Sequence, residues 1–417
     1  MTKDEKYIAR CIQLALNGKC NAAPNPMVGA VIVHNDTIIG EGYHIRCGEA
    51  HAEVNAIRSV KDESLLKEST IYVSLEPCSH YGKTPPCADL IINKGIPKVV
   101  VGCMDPFSLV AGRGIQKMRD AGIDVTVGVL EEECRQLIHR FITFHTLQRP
   151  FITLKWAESA DGFIDLNRTG GHPYIFSSPL SSMIVHKRRA EHVGILVGRK
   201  TALLDNPSLT TRSWYGKNPI RMVIDKDLTL PEHLSLFDGS TPTIVFTRKA
   251  DAPTRAQIEY ILLDFDRDIL PQIMEVLYQK KLQSLMVEGG SILLQSFIDA
   301  GCWDEAYIEQ SEDRLGDGVK APTLTGIYDF LTKMNKKTFI IILLWKHLKH
   351  LLRLLLAFSV FLSFFRKHVV VESFHSIHCF LWHQIQSQLV CLFPRNKGSM
   401  SVYSYNPLIL RPFHSLC

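Results

Sequence analysis

Three side chains that prefer soft metal ions are spaced along the first quarter of this sequence. His51 stands two positions before Glu53, and 23 residues then precede Pro77-Cys78, with eight more before Cys87. Imidazole and thiolate are ligands that Zn²⁺ favours, and three of them leave one tetrahedral position open. Water at an open position has its pKa lowered to about 7, so hydroxide becomes available at neutral pH. The spacing therefore predicts a catalytic zinc site.

Glu53 is the acidic residue that accompanies this predicted metal site. Two positions after His51, it should lie near the metal without serving as a ligand, which suits a proton shuttle. Zinc nucleobase deaminases combine one His, two Cys and a non-ligand Glu in this way. The alternative is a closed structural zinc site in which a fourth protein ligand fills the open position. Candidates for that fourth ligand are His44, Cys47 and His80.

Strand and helix patterns alternate on both sides of these residues, which predicts an α/β fold built in layers. In the first part we predict helices at 5–17, 51–60, 87–95 and 114–121, and strands at 28–33, 70–75, 99–101 and 125–127. Residues 145–150 read as a connection. The second part contains predicted strands at 151–157, 194–198, 221–225, 243–247 and 284–288, and predicted helices at 179–192, 268–279 and 291–300.

Charge is distributed unevenly along the 417 residues. The chain has 47 Lys and Arg against 42 Asp and Glu, but residues 331–417 hold 11 of the basic residues and a single acid, Glu372. The rest of the chain is therefore mildly acidic, which argues against a broad nucleic-acid-binding surface. The 11 cysteines are scattered, and the charged N-terminus MTKDEKYIAR has no apolar signal core. We expect a cytoplasmic protein with free or metal-bound thiols.

Residues 75–91, LEPCSHYGKTPPCADLI, resemble the bifunctional deaminase–reductase family of riboflavin biosynthesis. Ordinary cytidine and tRNA deaminases place about two residues between the cysteines, whereas this family has a widened gap, as here. PNPMVGA at 24–30 and Gly42-Tyr43-His44 match it as well. The resemblance implies deamination of a ribosylaminopyrimidine 5′-phosphate. It places Asn25 and His44 in the pyrimidine pocket, and Ser79, His80 and Lys83 at its rim.

The resemblance extends to about residue 326 and implies that NADPH then reduces the ribosyl group. Four residues match a stretch near the start of the family's reductase domain, namely Lys155, Ser159, Asp161 and Gly162. The implied NADPH contacts are Ala157, Tyr174, Thr201, Asp205, Gly289 and Gly290. The implied substrate contacts are Arg189, Leu209, Arg212 and Glu288. Arg suits the phosphate because its planar fork binds two oxygens at once, and the Gly-Gly turn before a helix presents bare backbone amides.

Two segments depart from the family pattern. Asp105-Pro106-Phe107-Ser108 differs from the expected Asp-Pro-Asn-Pro, which affects the pocket near Phe107. In GGHPYIFSSP at 170–179, Tyr174 replaces a tryptophan that the family places over the cofactor.

The domain organisation follows from these observations. We predict a cytidine-deaminase-like three-layer domain at 1–145 and a dihydrofolate-reductase-like domain at 146–330. Residues 331–417 form an atypical basic and apolar tail. A frame-shifted coding region is our first interpretation of this tail, and a membrane-surface helix is the second. A frame shift would remove the closing strands and leave an exposed sheet edge.

The predicted partners are a small-molecule substrate, with no nucleic acid and no membrane, and we expect a homo-oligomer. Two rival functions stay open at this point. One is a nucleic-acid deaminase, and the other is a deaminase-only or inactive remnant with a damaged reductase domain.

Overall fold

The computed structural model describes residues 1–80, 85–106 and 111–324, and the backbone of two further strands at 328–334 and 337–344. The elements of the first domain are α1 Lys3–Ala15, β1 Gly29–His34, β2 Thr37–Tyr43, α2 Ala52–Arg58, β3 Thr70–Leu75, α3 Cys87–Asn93, β4 Lys98–Cys103, α4 Arg113–Asp120, β5 Asp124–Val127, α5 Glu131–Leu137 and α6 His139–Leu147, with short 3₁₀ turns at Leu16–Gly18 and Glu63–Glu68.

The first sheet has five strands in the order β2-β1-β3-β4-β5. β1 is antiparallel to β2 and β3, and β3, β4 and β5 are parallel. Successive residues of a strand point to opposite faces, so Ala30 and Ile32 pack under α2, α3 and α4, whereas Val31 and Val33 pack under α1 and α5. Helices on both faces of one sheet form the three layers that the sequence predicted.

The second domain continues the chain with these elements: β6 Phe151–Glu158, β7 Phe163–Asp165, α7 Pro179–Ala190, β8 Gly194–Gly198, α8 Arg199–Asp205, β9 Ile220–Ile224, β10 Thr243–Thr247, β11 Ile258–Leu262, α9 Ile269–Gln279, β12 Ser284–Glu288, α10 Ser291–Asp299, β13 Glu305–Gln310, β14 Val319–Lys320, β15 Tyr328–Met334 and β16 Lys337–Leu344, with a 3₁₀ turn at Ser235–Phe237. Its main sheet has the order β11-β10-β9-β8-β12-β6-β13-β16-β15, and β7 pairs with β14.

Seven neighbouring strands of this sheet, from β11 to β13, are parallel. One face packs against α9 and α10 through a large apolar cluster, and the other is covered by a smaller cluster that includes α8. A parallel sheet buried on both faces explains the nearly continuous apolar strands GILVG and SLMVE. The carboxyl ends of these strands form the edge where α/β folds place their ligands.

The large sheet of the second domain has two strands beyond β13, whereas a frame shift was expected to remove the closing strands. The backbone of β16 pairs antiparallel with β13, and β15 pairs with β16, so the sheet continues to Leu344. The predicted domain end at residue 330 falls inside β15. The run TFIIILL in β16 is rich in β-branched and aromatic residues, which favour strands. The tail from 345 to 417 lies outside the described residues. Within the described part of the chain, no helix is both long and apolar enough to cross a bilayer.

Candidate functional sites

The predicted zinc ligands converge at the amino ends of two helices. His51 caps α2, Cys87 is the first residue of α3, and Cys78 lies in the segment after β3. The Nδ1 atom of His51 is 3.6 Å from the Cys78 Sγ and 3.4 Å from the Cys87 Sγ. The three ligand atoms lie within 4.8 Å of one another. One imidazole and two thiols facing a common point fit Zn²⁺.

The electrostatics around Cys78 favour the thiolate that a metal needs. The pKa of its thiol is held below the usual range, first by a hydrogen bond from the Cys87 thiol and then by one from the His51 ring. The backbone amide of Cys87 also donates to the Cys78 sulfur over 3.3 Å. A helix N-terminus adds partial positive charge at the same place. The Cys78 sulfur therefore favours its negatively charged form, which binds a metal cation, even without a metal present.

A closed four-ligand site does not form among the described residues. The cluster of His, Cys, Asp and Glu donors there contains three members, and His44, Cys47 and His80 are not among them. His44 instead uses its Nδ1 atom on the Ala50 carbonyl oxygen, 3.1 Å away. The described residues thus fit the open, catalytic type of site better than the structural type.

Glu53 lies beside the metal ligands in an almost dry position, with 3% of its surface exposed. Burial raises the pKa of its carboxyl to about 7, and the negative charge of Cys78 acts in the same direction. A pKa near the working pH is the condition under which one group can both accept and donate a proton.

Asn25 and His44, which the resemblance places in the pyrimidine pocket, contact each other, and His44 contacts the predicted metal ligand His51. The Asn25 Nδ2 atom is 3.1 Å from the His44 Nε2 atom, and the His44 ring stands edge-on to His51 at 5.4 Å between centroids. Burial lowers the pKa of His44 and so favours its neutral form. Ser79 is half-buried and His80 exposed after β3. Lys83 and Phe107 lie outside the described residues.

Glu76 is a residue of this site that the sequence analysis missed. Its buried carboxylate accepts backbone hydrogen bonds from Asp105, Gly112, Gly114 and Ile115, at 3.2, 2.9, 3.0 and 3.4 Å. These bonds tie the segment that begins α4 to the residue two positions before Cys78. An acid at the end of an otherwise apolar strand was the signal that could have revealed it.

The second site is a cavity of about 1290 Å³ at the carboxyl edge of the large sheet. All ten residues that the resemblance assigned to NADPH and substrate line this cavity: Ala157, Tyr174, Arg189, Thr201, Asp205, Leu209, Arg212, Glu288, Gly289 and Gly290. A volume of this size suits a dinucleotide together with a small substrate.

The Gly289-Gly290 turn has the shape of an anion cradle. Both glycines have positive φ, and a Cβ on either would come 3.1 Å from the Thr201 side chain. The following helix, α10, begins with no side-chain cap, so its first amides stay available. This geometry fits a phosphate group of NADPH against the turn.

Arg189, which was predicted to bind the substrate phosphate, is paired with the Glu288 carboxylate in the structure. Its guanidinium grips Glu288 with two bonds, from Nε to Oε1 at 2.9 Å and from Nη2 to Oε2 at 2.6 Å. A further bond runs from Nη1 to the Thr210 carbonyl at 3.2 Å. Arg212 is more accessible and contacts the Ser208 and Thr210 hydroxyls. Arg212 thus offers the freer guanidinium for an incoming anion.

The remaining cavity residues occupy the wall. Leu209 is buried with φ of 51°, and Tyr174 packs on Phe176 with 4.8 Å between ring centroids. Asp205 ends α8 and is paired with Arg168, which also binds Asp165 at 2.6 Å. Arg168 was not predicted, because the loop that brings it to Asp205 is not visible in a local pattern.

Comparison with known protein families gives two matches. Residues 1–103 match the cytidine and deoxycytidylate deaminase zinc-binding region, and residues 150–341 match the RibD C-terminal domain. The riboflavin biosynthesis protein RibD of Bacillus amyloliquefaciens is 41% identical over 329 residues, covering 77% of this chain and 87% of that protein. That of Aquifex aeolicus is 39% identical over 323 residues, covering 76% and 89%.

A solved structure agrees with these matches. The diaminohydroxyphosphoribosylaminopyrimidine deaminase/5-amino-6-(5-phosphoribosylamino)uracil reductase of Thermotoga maritima is 36% identical, with a TM-score of 0.75, and the match covers 82% of this chain and 98% of that one. The predicted fold class, zinc and NADPH are confirmed by these comparisons. The chain belongs to the RibD family of bifunctional deaminase–reductases in riboflavin biosynthesis.

Proposed function

We propose that the first domain deaminates 2,5-diamino-6-(5-phosphoribosylamino)pyrimidin-4-one and that the second reduces the ribosyl group of the product to ribityl with NADPH. The observation that carries the first step is the group of one imidazole, two thiols and one buried carboxyl at the ends of α2, α3 and β3. The second step rests on the glycine cradle and the cavity around it.

His51, Cys78 and Cys87 would hold the zinc ion, which supplies Lewis-acid activation of water when bound. Glu53 takes a proton from the attacking water and gives it to the departing amino group, which leaves as ammonia. Its raised pKa lets it do both near pH 7. Asn25 and His44 orient the pyrimidine ring from the side of His51, and Lys83, which is outside the described residues, is proposed for the rim on the resemblance alone.

In the reductase cavity, the chain's task is to position two partners. Thr201, Gly289 and Gly290 would hold the phosphate side of NADPH, with Ala157, Tyr174 and Asp205 along the rest of the cofactor. Arg212, Leu209 and the Arg189–Glu288 pair would hold the sugar phosphate of the substrate. The accessible guanidinium of Arg212 supports the phosphate contact.

We propose a deaminase domain at 1–145 and a reductase domain that begins at 146. The pairing of β16 with β13 supports a reductase domain that continues past residue 330. We propose that the tail results from a frame-shifted coding region, and sequencing the coding region again tests this. A confirmed frame together with lipid-vesicle binding by the tail would replace it with the membrane-surface interpretation.

A cytoplasmic location is proposed because thiol ligands need a reducing compartment. The eight cysteines among the described residues are free. We also propose a homo-oligomer, which the elution volume of the purified chain would test.

Two assays on the purified chain test the function. The ribotide alone should release ammonia, and NADPH oxidation should begin only with the deaminated product. Ammonia release without NADPH oxidation would indicate the deaminase-only alternative. Deamination of tRNA in place of the ribotide would indicate the nucleic-acid alternative.

A further inference from the structure

The reductase domain touches the turn that carries Asn25 in the deaminase pocket. The Gln283 Nε2 atom donates a hydrogen bond to the carbonyl oxygen of Pro24 over 2.6 Å, across 259 positions of sequence. Pro24 immediately precedes Asn25. A residue of the second domain therefore holds the backbone next to a predicted substrate contact of the first.

Gln283 is itself held firmly by the large sheet. It stands directly before β12, its backbone carbonyl accepts a bond from the Phe151 amide at 2.9 Å, and only 6% of its surface is exposed. Its neighbour Ser284 accepts a bond from the Val193 amide at 3.0 Å. The side-chain amide of Gln283 is thus presented from a rigid base.

A short series of contacts connects this turn to the metal ligand His51. The Asn25 amide is bonded to the Ala22 carbonyl at 2.9 Å, and its side chain reaches His44 at 3.1 Å. The His44 Nδ1 atom faces the Ala50 carbonyl and must carry the hydrogen, so its Nε2 atom accepts from Asn25. His44 packs edge-on to the metal ligand His51. The position of Pro24 therefore determines the position of the Asn25 side-chain amide in the pocket.

A second contact braces the same turn from its other end. The Lys19 Nζ atom is 3.0 Å from the Glu191 carboxylate, which is almost buried after α7. Arg140 in turn donates to the backbone carbonyl of Glu191. Lys19 and Pro24 thus bracket a short segment whose two ends are both tied to the second domain.

We infer that Gln283 is a positioning residue of the deaminase, through which the reductase domain holds the Pro24–Asn25 turn in its substrate-binding position. The inference rests on the proposed function for the identity of the substrate. The second domain then serves the first reaction as well as the second, whether or not NADPH is present.

Replacing the amide tests this inference in the full chain. Gln283→Leu should raise the deaminase KM for the ribotide about fivefold to tenfold, the effect of one lost hydrogen bond to a binding group. The deaminase kcat, the zinc content and the reductase kinetics should stay within twofold of wild type. The milder Gln283→Asn, which is one methylene too short to reach Pro24, should show the same KM effect. Gln279→Leu, on the exposed face of α9, is the matched control and should change nothing.

Hydrogen exchange provides a reading that needs no substrate. The backbone amide hydrogen of Asn25 should exchange faster in Gln283→Leu and Gln283→Asn than in wild type. The backbone amides of β12 should keep their wild-type rates. The inference is overturned if the deaminase KM stays within twofold of wild type, if both activities fall in parallel, or if exchange at residues 21–27 is unchanged. A wild-type chain that releases no ammonia would instead refute the proposed function. The hydrogen-exchange result would still show whether Gln283 holds the Pro24–Asn25 turn in place.

Discussion

Glu53 and Glu76 are two buried carboxyls near the same metal ligands, and their surroundings assign them different tasks. Glu76 is engaged by four backbone amides and fixes a loop. Glu53 lies in a dry position where its pKa is raised to about 7. The sequence predicted Glu53 from its distance to His51. It could not predict Glu76, because the amides that bind Glu76 come from residues 105–115 and meet it only after folding.

Removing the proton shuttle should separate chemistry from metal binding. Glu53→Gln keeps the size of the side chain and loses its acid–base function, so ammonia release should fall by at least about a hundredfold. Zinc content, measured by metal analysis, should stay at the wild-type level. Glu63→Gln, at the exposed start of a 3₁₀ turn, is the control and should keep full activity. Ammonia release by Glu53→Gln within tenfold of wild type would contradict the role proposed for Glu53.

The ligand set can be tested with cysteine variants. Cys87→Ser should lose zinc, because a hydroxyl is a much poorer zinc ligand than a thiolate. Cys47→Ser should keep zinc, since Cys47 is outside the cluster of three donors. Metal analysis after dialysis measures both. Loss of zinc in Cys47→Ser would indicate the closed four-ligand site instead.

At the scale of elements, β2 shows why part of the fold was not predicted. The strand Thr37–Tyr43 has no recognisable strand pattern in the sequence, because its inward positions are Gly40 and Gly42 instead of large apolar residues. A Cβ at either glycine would collide with the backbone of α2. The glycines let α2 approach closely, and α2 places His51 and Glu53. By contrast, β1, β3 and β12 were predicted because each contains at least three consecutive buried apolar residues.

The Arg189–Glu288 pair joins α7 to β12 at the reductase cavity, and both side chains are nearly buried. Arg189→Leu leaves the Glu288 carboxylate buried without this partner, which should destabilise the chain by about 3–5 kcal/mol. Arg189→Leu combined with Glu288→Leu should be less destabilising than Arg189→Leu alone, because the Glu288 carboxylate is then no longer buried without its arginine partner. Thermal unfolding of the three proteins measures this. A double variant that is less stable than the single variant would contradict the account.

At the scale of the whole molecule, the order of the two domains and their chemistry could be predicted because motifs are local. The contacts between the domains could not, since Gln283 and Pro24 meet across 259 positions without any local pattern. The closing hairpin of β15 and β16 was also missed. The apolar residues of β16 are followed by the apolar composition of the tail, so a local pattern does not distinguish the strand from the segment after it.

The interface between the domains should make stability depend on pH. His192 is buried there, with Nδ1 2.7 Å from the Arg188 carbonyl and Nε2 within reach of Thr153 and Arg140. Burial, and then the charge of Arg140, lower the pKa of His192 well below its ordinary value. Below about pH 6.5 the unfolded chain binds a proton at this residue and the folded chain does not, so stability falls as pH decreases.

The wild-type Tm should therefore drop more between pH 7.5 and 5.5 than the Tm of His192→Gln. The difference corresponds to at most about 1.4 kcal/mol per pH unit for one proton. His233→Gln, at an exposed site, should follow the wild-type curve. Parallel curves for wild type and His192→Gln would show that His192 does not titrate differently in the two states.

Ammonia release from the ribotide as a function of bound zinc tests the central claim most directly. Purified chain would be stripped with a chelator and reloaded in steps, with zinc content and ammonia release measured on the same samples. We predict that the rate rises in proportion to zinc and reaches its maximum at one zinc per chain. Full-rate release by stripped protein, or no release at one zinc per chain, would contradict the account.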